Sequence, residues 1–324
     1  MSHELTIRAN KQVEFAYRAS EGPAWHGLGN PMQDNATIDE WKTSAGMDWK
    51  IQRSKVRYAV SRDPNEPMLE IPDQHVLFRS DNKEALGIAS ERYKILHPGE
   101  VLEFFRDIVK VGGLELSAAG TIYGGKRFWA TAKIGEASPT SVRDKIGGFL
   151  LLSTSADGSQ RTEARRTSIR AVCRNQLAMA IADSPAWVKI SHRTEFDPSQ
   201  IKQFMGLNEA AWDSFRHQIV RLANVQVNEE RAELLTAELL GGGDKVYTTA
   251  GFNKILDLFK GDGKGANLDG VYGTGWGYVN AVTEYVDHWT RARTDENRFV
   301  AAQWGAGADL KQRAVAAVTS LISV

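Results

Sequence analysis

The fold is decided by a stretch near the middle of the chain, KRFWATAKIGEASPTSVRDKIGGFLLLSTSADGSQRTEARRTSIRAVCRN, which runs from Lys126 to Asn175. Its first letters alternate, because small and apolar residues at every second position from Phe128 to Ile134 separate Arg127, Trp129 and Lys133. In a β-strand this alternation places the first set on one face and the second set on the other. The pattern therefore predicts a strand with a core face and a face that carries bases and an indole ring.

Two glycine-containing turns connect this strand to its neighbours. Gly124-Gly125 precedes it, and Asp157-Gly158 lies between GFLLLSTS and SQRTEARRTSIRAV. Glycine supplies the positive φ that tight hairpin turns need, so both pairs indicate hairpins. We expect consecutive antiparallel strands here, followed by a helix in CRNQLAMAIADS at 173–184.

The flanking sequence completes an α+β pattern. Thr37 and Glu40 have the spacing of a capping box at a helix start. A strand with a bulge in DWKIQRSKVRYAVS, a hairpin around the turn SDNK and a helix in HPGEVLEFFRDIVKVGG follow it. After Asp197 the periodicity is helical, with a glycine-rich stretch between Gly241 and Gly277. We expect an antiparallel sheet with helices on one face, followed by a mainly helical C-terminal part, in two domains at 1–195 and 196–324.

The composition excludes several classes of protein. The chain has 324 residues, of which 42% are hydrophobic and 25% are charged, as in ordinary globular proteins. Neither a secretory h-region nor a run of 18 apolar residues occurs, and the single cysteine, Cys173, allows no internal disulfide. We expect a cytoplasmic protein without a membrane partner.

Charge is unevenly distributed along a chain that is neutral in total. Forty basic residues balance forty acidic ones, yet the segment 118–175 has ten bases and four acids, which gives +6 there and −6 elsewhere. Bases that alternate with an aromatic ring are typical of surfaces for single-stranded nucleic acid, where cations pair with phosphates and a base stacks on the ring. The predicted interface consists of Lys126, Arg127, Trp129, Lys133, Arg161, Arg165, Arg166, Arg170 and Arg174.

Structural explanations compete with this interface. The bases would be ordinary solvated charges on an exposed sheet face, Trp129 would cover a neighbouring helix, or the acidic C-terminal part would neutralise the patch. If 166–174 were helical, Arg166, Arg170 and Arg174 would instead align at four-residue spacing. These alternatives stay open at the level of sequence.

Other motifs point less clearly to chemistry. The glycine-rich stretch lacks a Walker loop, since Lys264 is followed by glycine and not by serine or threonine. Glu284 and His288 stand four residues apart, which suits either a structural pair or two metal ligands. A metal-dependent hydrolase would need them to converge with His26 and Asp287. A third hypothesis is a protein-binding factor that acts on a host system.

Several motifs together resemble the phage/plasmid-like proteins of domain of unknown function 932. They are PAWHGLG at 23–29, MDWKI at 47–51, TSIRAVCRNQLAMAI at 167–181, GTGWGYVNAVTEYVDH at 273–288 and ADLKQRAVAAV at 308–318. The resemblance covers nearly the whole chain and implies a mobile genetic element in a bacterial host, but it supplies no catalytic residues. The order of strands, hairpin and basic helix is also similar, in topology alone, to phage single-strand annealing recombinases.

These observations lead to one principal hypothesis. We expect a non-enzymatic, homo-oligomeric protein of a phage or plasmid that binds single-stranded DNA, with RNA as the alternative, and that acts as a DNA-annealing recombination factor. No cofactor and no metal are expected.

Overall fold

The computed structural model describes most of the chain. The described residues are 6–8, 10–22, 28–63, 65–112, 115–137, 146–170, 176–177, 187–194, 196–197, 199 and 209–322. The strands are β1 Phe15–Arg18, β2 Asn30–Met32, β3 Ile51–Tyr58, β4 Leu69–Arg79, β5 Ala85–Ser90, β6 Glu115–Ile122, β7 Arg127–Ala137, β8 Ile146–Ser155, β9 Thr162–Arg170, β10 Gln176–Leu177 and β11 Trp187–Ile190. The helices are α1 Ile38–Ser44, α2 Pro98–Gly112, α3 Glu209–Ala223, α4 Glu229–Leu239, α5 Ala250–Asp257, α6 Gly275–Glu284, α7 Asp295–Trp304 and α8 Ala306–Ser320.

The large sheet has the strand order β10-β9-β8-β7-β6-β1-β2, and β11 also pairs with β9. All its pairs are antiparallel except β1 with β2, which run parallel. The predicted α+β class is confirmed, with the helices mostly in the C-terminal part. The two-domain division stays a prediction.

Both predicted hairpin turns lie where the sequence placed them. Between β6 and β7, Gly124 and Gly125 have φ angles of 68° and 92°, and Gly158 between β8 and β9 has a φ of 74°. A Cβ on Gly125 would lie 2.7 Å from the ring of Trp49, so this turn needs glycine for space as well as for conformation. The capping box is also confirmed, because Glu40 N–H donates to Thr37 Oγ1 at 3.3 Å and Thr37 N–H donates to Glu40 Oε2 at 2.7 Å.

The expected helix at 173–184 is wrong where the structure describes it. Gln176 and Leu177 form β10, in register with Ile169 and Ser168 of β9. The edge of β9 offers unpaired backbone groups that this segment satisfies as a strand. The rest of 173–184 lies outside the described residues.

One face of the large sheet packs on α1 and α2. Phe128 of β7 and Leu150 of β8 belong to the same buried cluster as Trp41 of α1 and Phe104 and Phe105 of α2. This face corresponds to the predicted core face of β7.

The opposite face is covered by the C-terminal helices. Trp129 of β7 lies 6.3 Å, centroid to centroid, from Phe299 of α7. Arg165 of β9 donates to the carbonyl of Gln303 in the same helix, and Ile146 of β8 packs within the C-terminal core cluster. The sheet is therefore a middle layer between two sets of helices.

A buried ion-pair network fastens the small sheet β3-β4-β5 to the large one. Glu14, immediately before β1, accepts from Arg79 of β4 at 2.5 and 3.0 Å and from Arg8 at 3.0 Å, and Thr121 of β6 also donates to it. Arg79 additionally lies over the ring of Trp49 at 4.3 Å. The side chains of Glu14 and Arg79 are 0% and 1% exposed, and Asp81 is a second counter-charge for Arg79 at 2.7 Å, so the buried charges are compensated within the network.

Replacing Glu14 tests this network. Because Glu14→Ala leaves the Arg79 guanidinium buried with Asp81 as its remaining counter-charge, we expect a loss of about 3 kcal/mol in the free energy of unfolding. Urea denaturation followed by circular dichroism measures it. Glu70→Ala is the matched control, since Glu70 pairs with Lys55 and Arg57 on the exposed part of the small sheet and should change stability little. Equal losses in the two variants would contradict a supporting role for the buried pair.

Candidate nucleic-acid interface

The basic face predicted for β7 and β9 is divided between the two sides of the sheet. Register pairs Arg165 with Leu151 and Arg166 with Leu150, which are successive residues of β8 and so point to opposite faces. Arg165 and Arg166 are 4% and 6% exposed. The expectation that they share one water-facing surface is wrong, because β9 alternates as a strand and both of its faces are covered.

Arg165 is engaged inside the protein. It forms a buried ion pair with Glu163 and donates to the carbonyl of Gln303. Nearby, Lys311 of α8 forms a buried ion pair with Asp287. Burial lowers the pKa of the Lys311 ammonium, an effect that the Asp287 carboxylate opposes and the charge of Arg165 reinforces. These charges join β9 to the C-terminal helices and are not available to a polyanion.

Trp129 is a packing residue. Its ring lies between Phe15 of β1 at 5.9 Å and Phe299 of α7 at 6.3 Å, and its Nε1 is buried. Trp129 is half-buried, and its contacts fit the alternative that it packs against a helix, while a base-stacking role for its ring stays a prediction.

The remaining predicted residues fall into two groups. Lys126 and Arg161 are exposed, and Arg127 and Lys133 are half-buried. Arg170 is the last residue of β9, which excludes the helical alignment with Arg166, and Arg174 lies outside the described residues. For Lys133, Arg170 and Arg174 a role in binding stays a prediction.

Lys126, Arg127 and Arg161 meet at the end of the sheet where the β6–β7 and β8–β9 turns lie. Arg127 pairs in register with Ser155, and its guanidinium donates to Ser159 Oγ at 3.3 Å while lying 5.7 Å from the Tyr123 ring centroid. Lys126 is fixed in the turn by its carbonyl, which accepts from Ala156 N–H at 2.7 Å. The turns thus bring these three bases to one edge of the protein.

Further bases reach the same end from two distant segments. The rings of Tyr93 and His192 are stacked with centroids 4.6 Å apart. Tyr93 Oη donates to the Ser155 carbonyl at 2.7 Å, and a ring nitrogen of His192 lies 2.9 Å from the Gln160 carbonyl, next to Arg161. Burial, with a smaller contribution from Asp157, raises the pKa of the Tyr93 hydroxyl, so it stays a neutral donor.

Hydrogen bonds to the backbone beside Tyr93 and His192 bring neighbouring bases to this end of the sheet. Arg53 of β3 donates to the Tyr93 carbonyl, and Lys94 N–H donates to the His192 carbonyl at 2.6 Å. We name the resulting set the turn-end cluster: Arg53, Arg92, Lys94, Lys126, Arg127, Arg161 and Arg193.

Part of the positive charge of the turn-end cluster is not neutralised by ion pairs with described residues. Arg92, Lys126, Arg161 and Arg193 are exposed and form no ion pair with any residue that the structure describes. Carboxylates also lie near this end, among them Glu84 beside the β6–β7 turn, Glu91 beside His75 and Asp157 in the β8–β9 turn. Four exposed bases without ion pairs among the described residues suit an anionic partner.

Sequence reasoning missed Arg53, Arg92, Lys94 and Arg193. The letters RYK at 92–94 do show an aromatic ring between two bases. Nothing in the sequence connects them with His192 and Arg193 about a hundred residues later.

The hydrolase hypothesis requires side chains that the fold uses elsewhere. Glu284 accepts the Lys264 N–H at 3.0 Å, and Asp287 pairs with Lys311. Residues Tyr285–Trp289 are π-helical, which spoils the four-residue alignment of Glu284 with His288. Within the described ranges no group of three or more His, Cys, Asp or Glu side chains is placed to hold a metal ion, and His26 falls outside those ranges.

Comparison with known proteins gives one match. The family model described as Domain of unknown function (DUF932) matches residues 85–304, more than half of the chain. The chain belongs to this family. The region matched to DUF932 runs from β5 to the end of α7, so it contains every member of the turn-end cluster except Arg53.

Beyond the family, no curated protein and no solved structure matches the chain. Among the helices that the structure describes, none combines the length and apolar character needed to span a bilayer.

The packing role of Trp129 is directly testable. Because its ring fills the space between β1 and α7, Trp129→Ala should lower the free energy of unfolding by about 3 kcal/mol. Trp289→Ala is the control, since Trp289 is 53% exposed and its ring contacts Lys254, so its loss should be at most about 1 kcal/mol. Guanidinium denaturation of both variants measures the difference. An unchanged midpoint for Trp129→Ala would contradict a packing role for this ring.

Proposed function

We propose that this DUF932 protein binds single-stranded nucleic acid through the turn-end cluster. The observation that carries the proposal is that Arg92, Lys126, Arg161 and Arg193, which are exposed and form no ion pair with any described residue, lie at the same end as the half-buried Tyr93–His192 pair. The cations supply phosphate contacts, and the accessible parts of the two rings supply aromatic surface beside them, which is the combination that single strands use.

The proposal moves the predicted interface without changing the predicted partner. Lys126, Arg127 and Arg161 keep their expected phosphate contacts, whereas Trp129 and Arg165 are assigned to packing. Homo-oligomerisation, strand annealing and origin in a mobile element are proposals carried from the sequence alone.

The salt dependence of binding tests the interface quantitatively. For single strands, the slope of log Kobs against log salt concentration is about −0.7 for each phosphate neutralised. The triple variant Arg92→Gln, Arg161→Gln, Arg193→Gln should therefore lower the magnitude of the slope by about 2, besides weakening binding. Fluorescence anisotropy with a labelled oligonucleotide at several salt concentrations measures both quantities.

A matched control separates the interface from net charge. Arg62→Gln, Lys245→Gln, Arg313→Gln removes three exposed bases that also lack ion pairs in the described part of the chain, but from other regions. This variant should keep the wild-type slope. Equal slopes in the two triple variants, or no saturable binding by the wild type at low salt, would refute the proposed interface.

A further inference from the structure

An open cavity of about 720 Å³ lies in the C-terminal helical part, remote in sequence from the turn-end cluster. It is bounded by the end of α3, the segment 224–228, the first turn of α4 and the residues that follow α8. Its volume is in the range of sites for small organic molecules.

The floor of the cavity is held by backbone contacts. Val227 N–H donates to the Gly273 carbonyl at 2.9 Å, and Gly275 N–H donates to the Val225 carbonyl at 2.8 Å. A Cβ on Gly275 would lie 2.3 Å from Val318 Cγ1 and 2.9 Å from the Leu222 carbonyl, so only glycine allows this close approach of α6 to α3 and α8. The lining side chains therefore project from a packed base.

The lining is rich in hydrogen-bond donors and contains no acid. Arg221 and Arg231 are exposed and form no ion pair with any described residue. Asn224 and Gln226, which lie between them in the sequence, also line the cavity. The adjacent Glu229 is paired with Lys260 at 2.9 Å. Guanidinium groups present forked donors that match phosphate oxygens, and carboxamides both donate and accept.

The lining also has an apolar part. Val225, Leu321 and Ile322 supply it. A ligand that fits therefore has an anionic group with several acceptor oxygens and also a moiety with an apolar face and polar edges. A nucleobase has such a face and such edges, and a carboxamide can pair with its hydrogen-bonding edge.

We propose that this cavity binds a nucleoside monophosphate, with Arg221 and Arg231 on the phosphate, Asn224 and Gln226 on the base edge and Leu321 and Ile322 against the base plane. The same terminal phosphate is present on a free nucleotide and on the 5′ end of a strand. The site is formed by residues outside the turn-end cluster and does not depend on the proposed function.

Calorimetric titration of the full chain with AMP, adenosine and inorganic phosphate tests the site. AMP should bind, with adenosine and phosphate each weaker. Arg221→Gln and Arg231→Gln should each weaken AMP binding by about tenfold or more, as expected for a charge-assisted hydrogen-bond pair. Arg313→Gln on α8 is the control for charge and should bind AMP like the wild type. Thermal unfolding of each variant establishes that it is folded.

A second arm identifies the source of the phosphate. In the background of Arg92→Gln, Arg161→Gln, Arg193→Gln, an oligonucleotide with a 5′ phosphate is compared with the same oligonucleotide with a 5′ hydroxyl. A preference for the phosphate that disappears with Arg221→Gln supports a strand end, and AMP binding without such a preference supports a free nucleotide. The inference fails if neither AMP nor the 5′-phosphorylated strand binds, or if both bind equally to the Arg221 and Arg231 variants. If AMP still binds the variant with the three turn-end substitutions, the cavity site is established independently of nucleic-acid binding by the turn-end cluster.

Discussion

The burial of both faces of the large sheet is the constraint on which the rest of the molecule depends. Strand β7 shows it most directly, since Phe128 packs with α1 and α2 while Trp129 packs against Phe299 of α7. A sheet covered on both sides leaves only its ends and its connecting turns open to a large ligand. The turn-end cluster lies at such an end, where the β6–β7 and β8–β9 turns meet the segment between β5 and α2.

Covering a sheet that carries charged residues requires those charges to be neutralised internally. On one side, Arg165 is paired with Glu163 and Lys311 with Asp287; near the small sheet, Arg79 is paired with Glu14. Removing either partner of such a pair leaves a buried charge without its compensation. The contact that joins strand to helix is the hydrogen bond from Arg165 of β9 to the Gln303 carbonyl of α7. These pairs also neutralise basic residues that counting charges along the sequence would assign to the surface.

Local structure could be predicted from the sequence, but tertiary placement could not. The Thr37–Glu40 box and the turns at Gly124-Gly125 and Asp157-Gly158 depend on neighbouring residues, and all of them form. The partners of Trp129 are Phe15 and Phe299, which are more than a hundred residues away in either direction. Alternation in a strand identifies two faces but does not show whether the polar face is exposed to solvent. The continuous apolar run FLLL in β8 was the available sign that both faces are buried.

The positions of the arginines explain why a segment of +6 charge does not form one basic face. Arg79 of β4 and Arg165 and Arg166 of β9 are paired or enclosed. Those in turns and at helix ends, such as Arg161, Arg193 and Arg221, are exposed and have no carboxylate partner among the described residues. A strand that is covered on both faces places its side chains in the layers above and below, whereas turns and the open strand β3 let side chains reach water. The surface charge available to a ligand is therefore set by backbone context rather than by the local count of bases, and it concentrates at the turn end and at the rim of the C-terminal cavity.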